Sequence, residues 1–125
     1  MPHLIIAIGG FLGFISVALG AFAAHGLKDK LTPELLSAFQ TGTQYQMYHA
    51  LVLILVGLLV KTSGLSTLWL TISAWLFVAG VVLFSGSLYA LALTQIKLFG
   101  PVTPLGGLCF LLGWACLFVA ACKFN

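Results

Sequence analysis

Four long runs of apolar residues, separated by short polar or breaker-rich stretches, set the plan of this chain. The runs are Leu4 to Ala24, Thr41 to Val60, Leu68 to Leu93, and Leu105 to Cys122. A helix needs about 20 mostly apolar residues to cross a bilayer, and each run meets or approaches that length. The third is long enough to tilt, and the fourth is at the short end. The connections Lys61–Thr67 and Thr94–Pro104 are brief, so consecutive helices are predicted to run antiparallel. The expected fold is all-α: a four-helix antiparallel transmembrane bundle forming a single membrane domain over residues 1–125.

Terminus signals place the helices at about 4–24, 33–60, 68–93 and 104–122. Thr32-Pro33-Glu34 reads as an N-cap hydroxyl, a proline that gives up no needed donor, and an acid on the positive end of the helix dipole. The second helix therefore begins well before its apolar run, with an amphipathic Leu35–Phe39 turn suited to the interface. Gly42 marks either a bend or a close helix crossing. Gly100-Pro101-Val102-Thr103-Pro104 is a breaker run, with Thr103 expected as cap and Pro104 as the first residue of the fourth helix.

Small residues recur at helical spacing. Gly9, Gly13, Ser16, Gly20 and Ala23 stripe the first helix, and Gly106, Cys109, Gly113, Cys116 and Ala120 stripe the fourth. Thr43, Ala50 and Gly57 repeat the idea on the second helix, and Ser73, Gly80 and Ser87 on the third. Lipid supplies no hydrophobic drive between helices, so small faces serve close backbone approach and dispersion contact. Heptad-like steps favour left-handed crossings near +20°. On this pattern, leucine at Gly13 or Gly113 is expected to destabilise the bundle.

Composition agrees with the membrane class. The 125 residues are 62% hydrophobic and 6% charged, against about 25% charged in soluble chains. Lys28, Lys30 and Lys97 fall on one side of the membrane, and Lys61, Lys123 and the chain amine on the other, so the positive-charge bias that sets orientation is a tie. No basic stripe exists, and nucleic-acid binding is not expected. Cys109, Cys116 and Cys122 are an odd count in an apolar stretch, which reads as packing rather than a disulfide framework. Ala21-Phe22-Ala23 resembles a signal-peptide cleavage pattern. No lysine or arginine precedes the run, which is longer than a signal peptide needs, so a retained helix is expected.

Polarity within the apolar runs changes the picture more. Gln40-Thr41-Gly42-Thr43-Gln44-Tyr45-Gln46-Met47-Tyr48-His49 opens the second helix, and polar groups at membrane depth are costly unless protein or water shelters them. Antiparallel topology brings His25, Gln44, Tyr45, Gln46, Tyr48, His49, Ser85, Ser87, Tyr89 and Thr103 into one leaflet, and these form the candidate polar pocket. At 1.5 Å per residue, His49 lies about 12 Å below Thr41 and Ser87 about 9 Å below Leu93, so the two are close in depth. On a helical wheel Gln46, His49, Ala50, Leu53 and Gly57 share one face. Gln40, Gln44 and Tyr48 fall opposite. This half-helix therefore borders a wet vestibule or is buried between helices of the same or a neighbouring subunit.

His49 reads first as a neutral interior histidine bonded to Ser85, Ser87 or a tyrosine. Other roles are titration in a proton or ligand site and ligation of haem together with His25. Tyr45, Tyr48 and Tyr89 suit an interfacial aromatic belt. No zinc-like spacing is present, and no membrane-embedded acid is available to orient a serine–histidine pair. Phe84-Ser85-Gly86-Ser87 lacks the context of a nucleophile elbow. No cofactor or metal site is expected.

Gly20-Ala21-Phe22-Ala23-Ala24-His25-Gly26-Leu27 resembles the signature that ends the first helix of the domain of unknown function 423, or transmembrane protein 256-like, family. Gln40-Thr41-Gly42, Tyr45-Gln46, His49-Ala50-Leu51, Phe84-Ser85-Gly86-Ser87-Leu88-Tyr89, Thr103-Pro104-Leu105-Gly106-Gly107 and Gly113-Trp114 match it in order. Ala23 stands where that pattern has glycine. The resemblance covers nearly the whole chain. It implies four transmembrane helices and a bacterial inner-membrane or organellar setting, and no established biochemical activity.

Three functional readings follow. The first is a structural or accessory membrane protein whose polar corner supplies interhelical hydrogen bonds, with the lipid bilayer and a homo-oligomer or membrane-protein partner around it. The second is small-solute, proton or lipid handling by an oligomer, centred on Tyr45, Gln46, His49 and Ser87. The third is a haem or redox protein using His25 and His49.

Overall fold

The structure, a computed structural model, describes residues 2–123. These residues build four helices long and apolar enough to cross a membrane: α1 (Pro2–Leu27), α2 (Pro33–Thr62), α3 (Thr67–Thr94) and α4 (Val102–Cys122). α1 ends in a wide π turn, Ala23–Leu27, and α3 carries another at Val81–Ser85. A single 3₁₀ turn, Lys97–Phe99, precedes α4.

The α2 start follows from its sequence. Thr32 is the N-cap, its hydroxyl accepts from the Leu35 N–H at 3.2 Å, and Pro33 is the first helical residue. The α4 start differs from expectation. Pro101 is the N-cap and Thr103 lies inside the first turn, with its N–H bonded to Gly100 O. Its hydroxyl is engaged with Ser87 on α3 instead of capping. A cap hydroxyl cannot serve its own helix end and a neighbouring helix equally, and here the interhelical partner holds it.

The bundle consists of two antiparallel hairpins, α1/α2 and α3/α4, joined mainly where α2 meets α3. Glycines set the spacing inside each hairpin. A Cβ on Gly9 would fall 2.8 Å from Ala50 O, and one on Gly57 would press into Ile6. Across α3/α4, a Cβ on Gly106 would strike the Phe84 backbone in the π turn, and one on Gly113 would lie 2.7 Å from the Phe77 ring. Contacts climb one helix as they descend the other, which is the antiparallel register. At the far end the Ser66 N–H donates to Lys123 O at 3.0 Å, tying the α2–α3 turn to the end of α4.

The main core gathers Ile5, Leu53, Val56, Leu70, Phe77 and Phe110 between the hairpins. A smaller cluster of Ala23, Leu27, Phe39 and Ala92 seals the end near the α1–α2 turn. Bilayer-facing walls carry the remaining apolar residues, including Phe11, Phe14, Leu111 and Phe118. The three cysteines are free thiols on α4, two of them half-buried and Cys122 exposed.

The small-residue stripes are therefore unequal. Gly113 is tight, whereas a Cβ on Gly13 meets only the Ala50 Cβ at 3.8 Å, and those on Gly10 and Gly20 meet nothing. Of these α1 glycines, the one crowded by a neighbouring helix is Gly9. Overpacking a close contact costs about 1–3 kcal/mol. Gly106→Ala and Gly113→Leu are expected to lower the unfolding temperature in detergent, with Gly20→Ala unchanged; equal stability of all three would contradict this packing.

Candidate functional site

Gln46 lies at the centre of the polar corner. It faces inward because α2 presents Phe39, Gly42, Gln46, His49, Leu53 and Val56 to the other helices. Its amide nitrogen donates to Leu12 O on α1 at 2.8 Å. Its amide oxygen accepts from the Tyr89 hydroxyl on α3 at 2.6 Å. One side chain thus spans both hairpins. Two serines flank it: the Ser16 hydroxyl donates to Thr43 O at 2.7 Å, and the Ser85 hydroxyl donates to Gly42 O at 2.7 Å. Gly42 admits this contact because a Cβ there would lie 2.7 Å from the Tyr89 ring. It marks a close crossing.

A second pair joins α3 to α4. The Ser87 hydroxyl donates to Phe84 O at 2.9 Å, so the contact between Ser87 and Thr103 has the Thr103 hydroxyl as donor. Ser87 and His49, expected close in depth, belong to separate groups at different levels: their α4 partners Thr103 and Trp114 are eleven residues apart, about 16 Å of helical rise.

His49 is 4% exposed, and both of its ring nitrogens are engaged. Nδ1 lies 2.7 Å from Tyr45 O, one turn back. Nε2 lies 3.2 Å from the indole nitrogen of Trp114 on α4. An indole N–H only donates and a carbonyl only accepts, so the network assigns the neutral Nδ1–H tautomer. Phe110 stacks on the ring with centroids 3.7 Å apart and planes 7° apart. Phe77 packs at 5.3 Å. The expected partner is Ser85, Ser87 or a tyrosine, and of these Tyr45 bonds Nδ1 through its backbone carbonyl. Each serine hydroxyl is committed to a backbone carbonyl, and Trp114 takes the role instead. Trp114 was missed as a site residue, although an indole N–H in the middle of an apolar run needs an acceptor, and that need was the available signal.

Tyr45 lies over Phe84 and Phe110, with centroids 4.8 and 6.3 Å away. It lies near the middle of α2, away from the helix ends where a belt residue sits. A groove of about 540 Å³ opens beside it, lined by Tyr45, His49, Phe84, Phe110, Leu111 and Trp114. The groove is almost wholly apolar.

Three candidates lie elsewhere. His25 is exposed in the terminal π turn of α1, and Gln44 and Tyr48 are exposed on the outer face of α2. A haem held by His25 and His49 would need a free nitrogen on His49, and both are bonded. Among the described residues no cluster of three or more His, Cys, Asp or Glu side chains is disposed to hold a metal. No buried side-chain nitrogen or oxygen among them lacks a hydrogen-bond partner.

Comparison with known proteins places these features in a lineage. Residues 19–107 match the family described as Protein of unknown function (DUF423). That stretch holds Gln46, His49, Ser85, Ser87, Tyr89 and Thr103 and stops short of Trp114. UPF0382 membrane protein YwdK of Bacillus subtilis (strain 168) is 48% identical over 120 residues, covering 95% of this chain and 96% of the relative. UPF0382 membrane protein SH2409 of Staphylococcus haemolyticus is 46% identical over 121 residues, 97% of each chain. UPF0382 membrane protein SAB0533 of Staphylococcus aureus (strain bovine RF122) is 44% identical over 121 residues, again 97% of each. No solved structure matches the chain. With its four membrane-spanning helices and relatives of equal length, the chain is a multi-pass membrane protein and belongs to the DUF423 family.

Proposed function

We propose that this chain acts as a structural or accessory membrane protein, working beside another polypeptide of the bilayer: a further copy of itself or a different membrane protein. Its polar corner is a latch that fixes α1, α2 and α3 in one arrangement. The carrying observation is Gln46, bonded at both ends of its amide to different helices, in a corner where every buried polar side-chain atom has a partner. A solute or proton route needs polar groups that face water. Here the rings of Phe77 and Phe110 cover His49, and Tyr45 packs on Phe84 at the edge of an apolar groove.

A second reading keeps one part of the handling hypothesis. The apolar groove beside Tyr45 and His49 faces the bilayer and has the volume and lining for a lipid acyl chain. It favours lipid contact over transport of a polar solute.

Interhelical hydrogen bonds in membranes are worth about 0.6 kcal/mol on average and about 1.7 at most. Gln46→Leu removes two, and is expected to destabilise the folded protein by about 1–2 kcal/mol in denaturant titrations in bicelles. Tyr89→Phe is expected to cost less, and the double variant about the same as Gln46→Leu alone. Strictly additive losses would mean that the two side chains do not form one unit.

Proteoliposomes of the wild type are expected to pass protons and small solutes no faster than those of His49→Ala. Wild-type flux well above that variant would overturn the accessory reading. Nitrogen NMR of His49 is expected to show the neutral Nδ1–H form, with the Nε2 resonance moved by Trp114→Phe. A resonance unmoved by that change would show that the indole contact is absent.

A further inference from the structure

The outer face of α2 carries Ser37, Gln40, Gln44 and Tyr48 at steps of three and four, with Thr41 beside Gln40. Ser37, Gln40, Gln44 and Tyr48 are exposed. Among the described residues, the side-chain amides of Gln40 and Gln44 have no hydrogen-bond partner. Depth makes this unusual. By helical rise Gln44 lies about 5 Å from the midpoint of α2. Its neighbour Thr43 is bonded through its carbonyl to Ser16, which by the same rise lies about 2 Å from the midpoint of α1. A primary amide is therefore exposed at the level of the apolar runs, where an unmet polar group is costly.

The stripe adjoins a second unfilled surface. A polar groove of about 570 Å³ along Ser37, Gln40, Thr41 and Gln44 shares Met47 with an apolar groove of about 520 Å³ along Gly10, Gly13 and Ala50. Among the described residues, none comes within 4 Å of where a Gly10 Cβ would lie, so the α1 backbone is open to a close approach there.

We infer that this α1/α2 face binds a second copy of the chain, through a two-fold interface in which Gln44 pairs with its counterpart. A primary amide carries both donor and acceptor, so two glutamines related by a two-fold axis satisfy each other reciprocally. In this arrangement the axis runs along the membrane normal and relates two copies inserted the same way. A second copy therefore presents its amide at the matching depth without further coincidence, which a different polypeptide would have to match independently. This assignment rests on the accessory reading and names the partner for it.

The test is cysteine cross-linking of the full-length chain in native membranes. Cys109, Cys116 and Cys122 are replaced by alanine, and Thr41→Cys is introduced one turn from Gln44. Leu111→Cys, on the outer wall of α4, is the control. Oxidation is expected to link Thr41→Cys into a disulfide dimer of the chain and to leave Leu111→Cys monomeric. Because Gln44 is exposed, Gln44→Leu is expected to keep the monomer's thermal stability. It should weaken dimerisation about tenfold in liposome energy-transfer titrations.

Equal cross-linking at both positions, or a dimer indifferent to Gln44→Leu, would overturn the interface. A Thr41→Cys adduct containing a different polypeptide would overturn the second copy while leaving the accessory reading in place. The flux and latch measurements bear on that reading separately.

Discussion

Hydrocarbon offers no hydrogen bonds, so every polar side chain that this protein places in the bilayer must find its partner in protein. The amide of Gln46 meets that demand twice, taking Leu12 O from one hairpin and the Tyr89 hydroxyl from the other. Were the hairpins to slide by one turn, the Tyr89 bond would be lost, while the Leu12 bond inside the α1/α2 hairpin would stay. The same demand accounts for Ser16, Ser85 and Ser73, each of which donates to a carbonyl on a neighbouring helix. Side chain to backbone is the recurring solution because helical carbonyls keep a second lone pair available.

Such bonds form only if helices come close, and glycine placement decides where they do. Gly42 lets Ser85 and Tyr89 reach α2, and Gly106 lets α4 lie against the π turn that ends in Ser85. Polar bonding and small-residue packing are thus two aspects of one contact. Bulk at Gly42 would separate the helices and break the Ser85 bond in the same motion. The π turn adds one residue to the helical circuit just before the segment that carries Ser85, Ser87 and Tyr89. Ser85 and Tyr89 face α2 there, and Ser87 faces α4.

His49 shows how the surroundings decide the chemistry of a residue type. Imidazole suits proton transfer and metal ligation, but here a carbonyl and an indole take both nitrogens and Phe110 covers one face. The result is a cross-brace between α2 and α4. The apolar groove beside it leaves the bilayer itself as the nearest companion of that surface.

The chain's own pattern determined the number and direction of the helices, the cap at Thr32, and the inward face of α2 through Gln46, His49 and Leu53. These follow from hydrophobic length, cap chemistry and a fixed rise and turn, which are local properties. The partners did not follow. Trp114 is 65 residues from His49, and no periodicity on α4 distinguishes an indole that meets a histidine from one that faces lipid. Ser85 and Ser87 are two residues apart and so face nearly opposite ways, and which helix lies on each side is decided only by packing. Gly9 and Gly13 look alike in a stripe, and only the position of Ala50 and Ile54 makes one crowded and the other open. Membrane insertion and helix periodicity are encoded residue by residue, whereas pairing across helices depends on rotation and separation, which exist only once all four helices are packed.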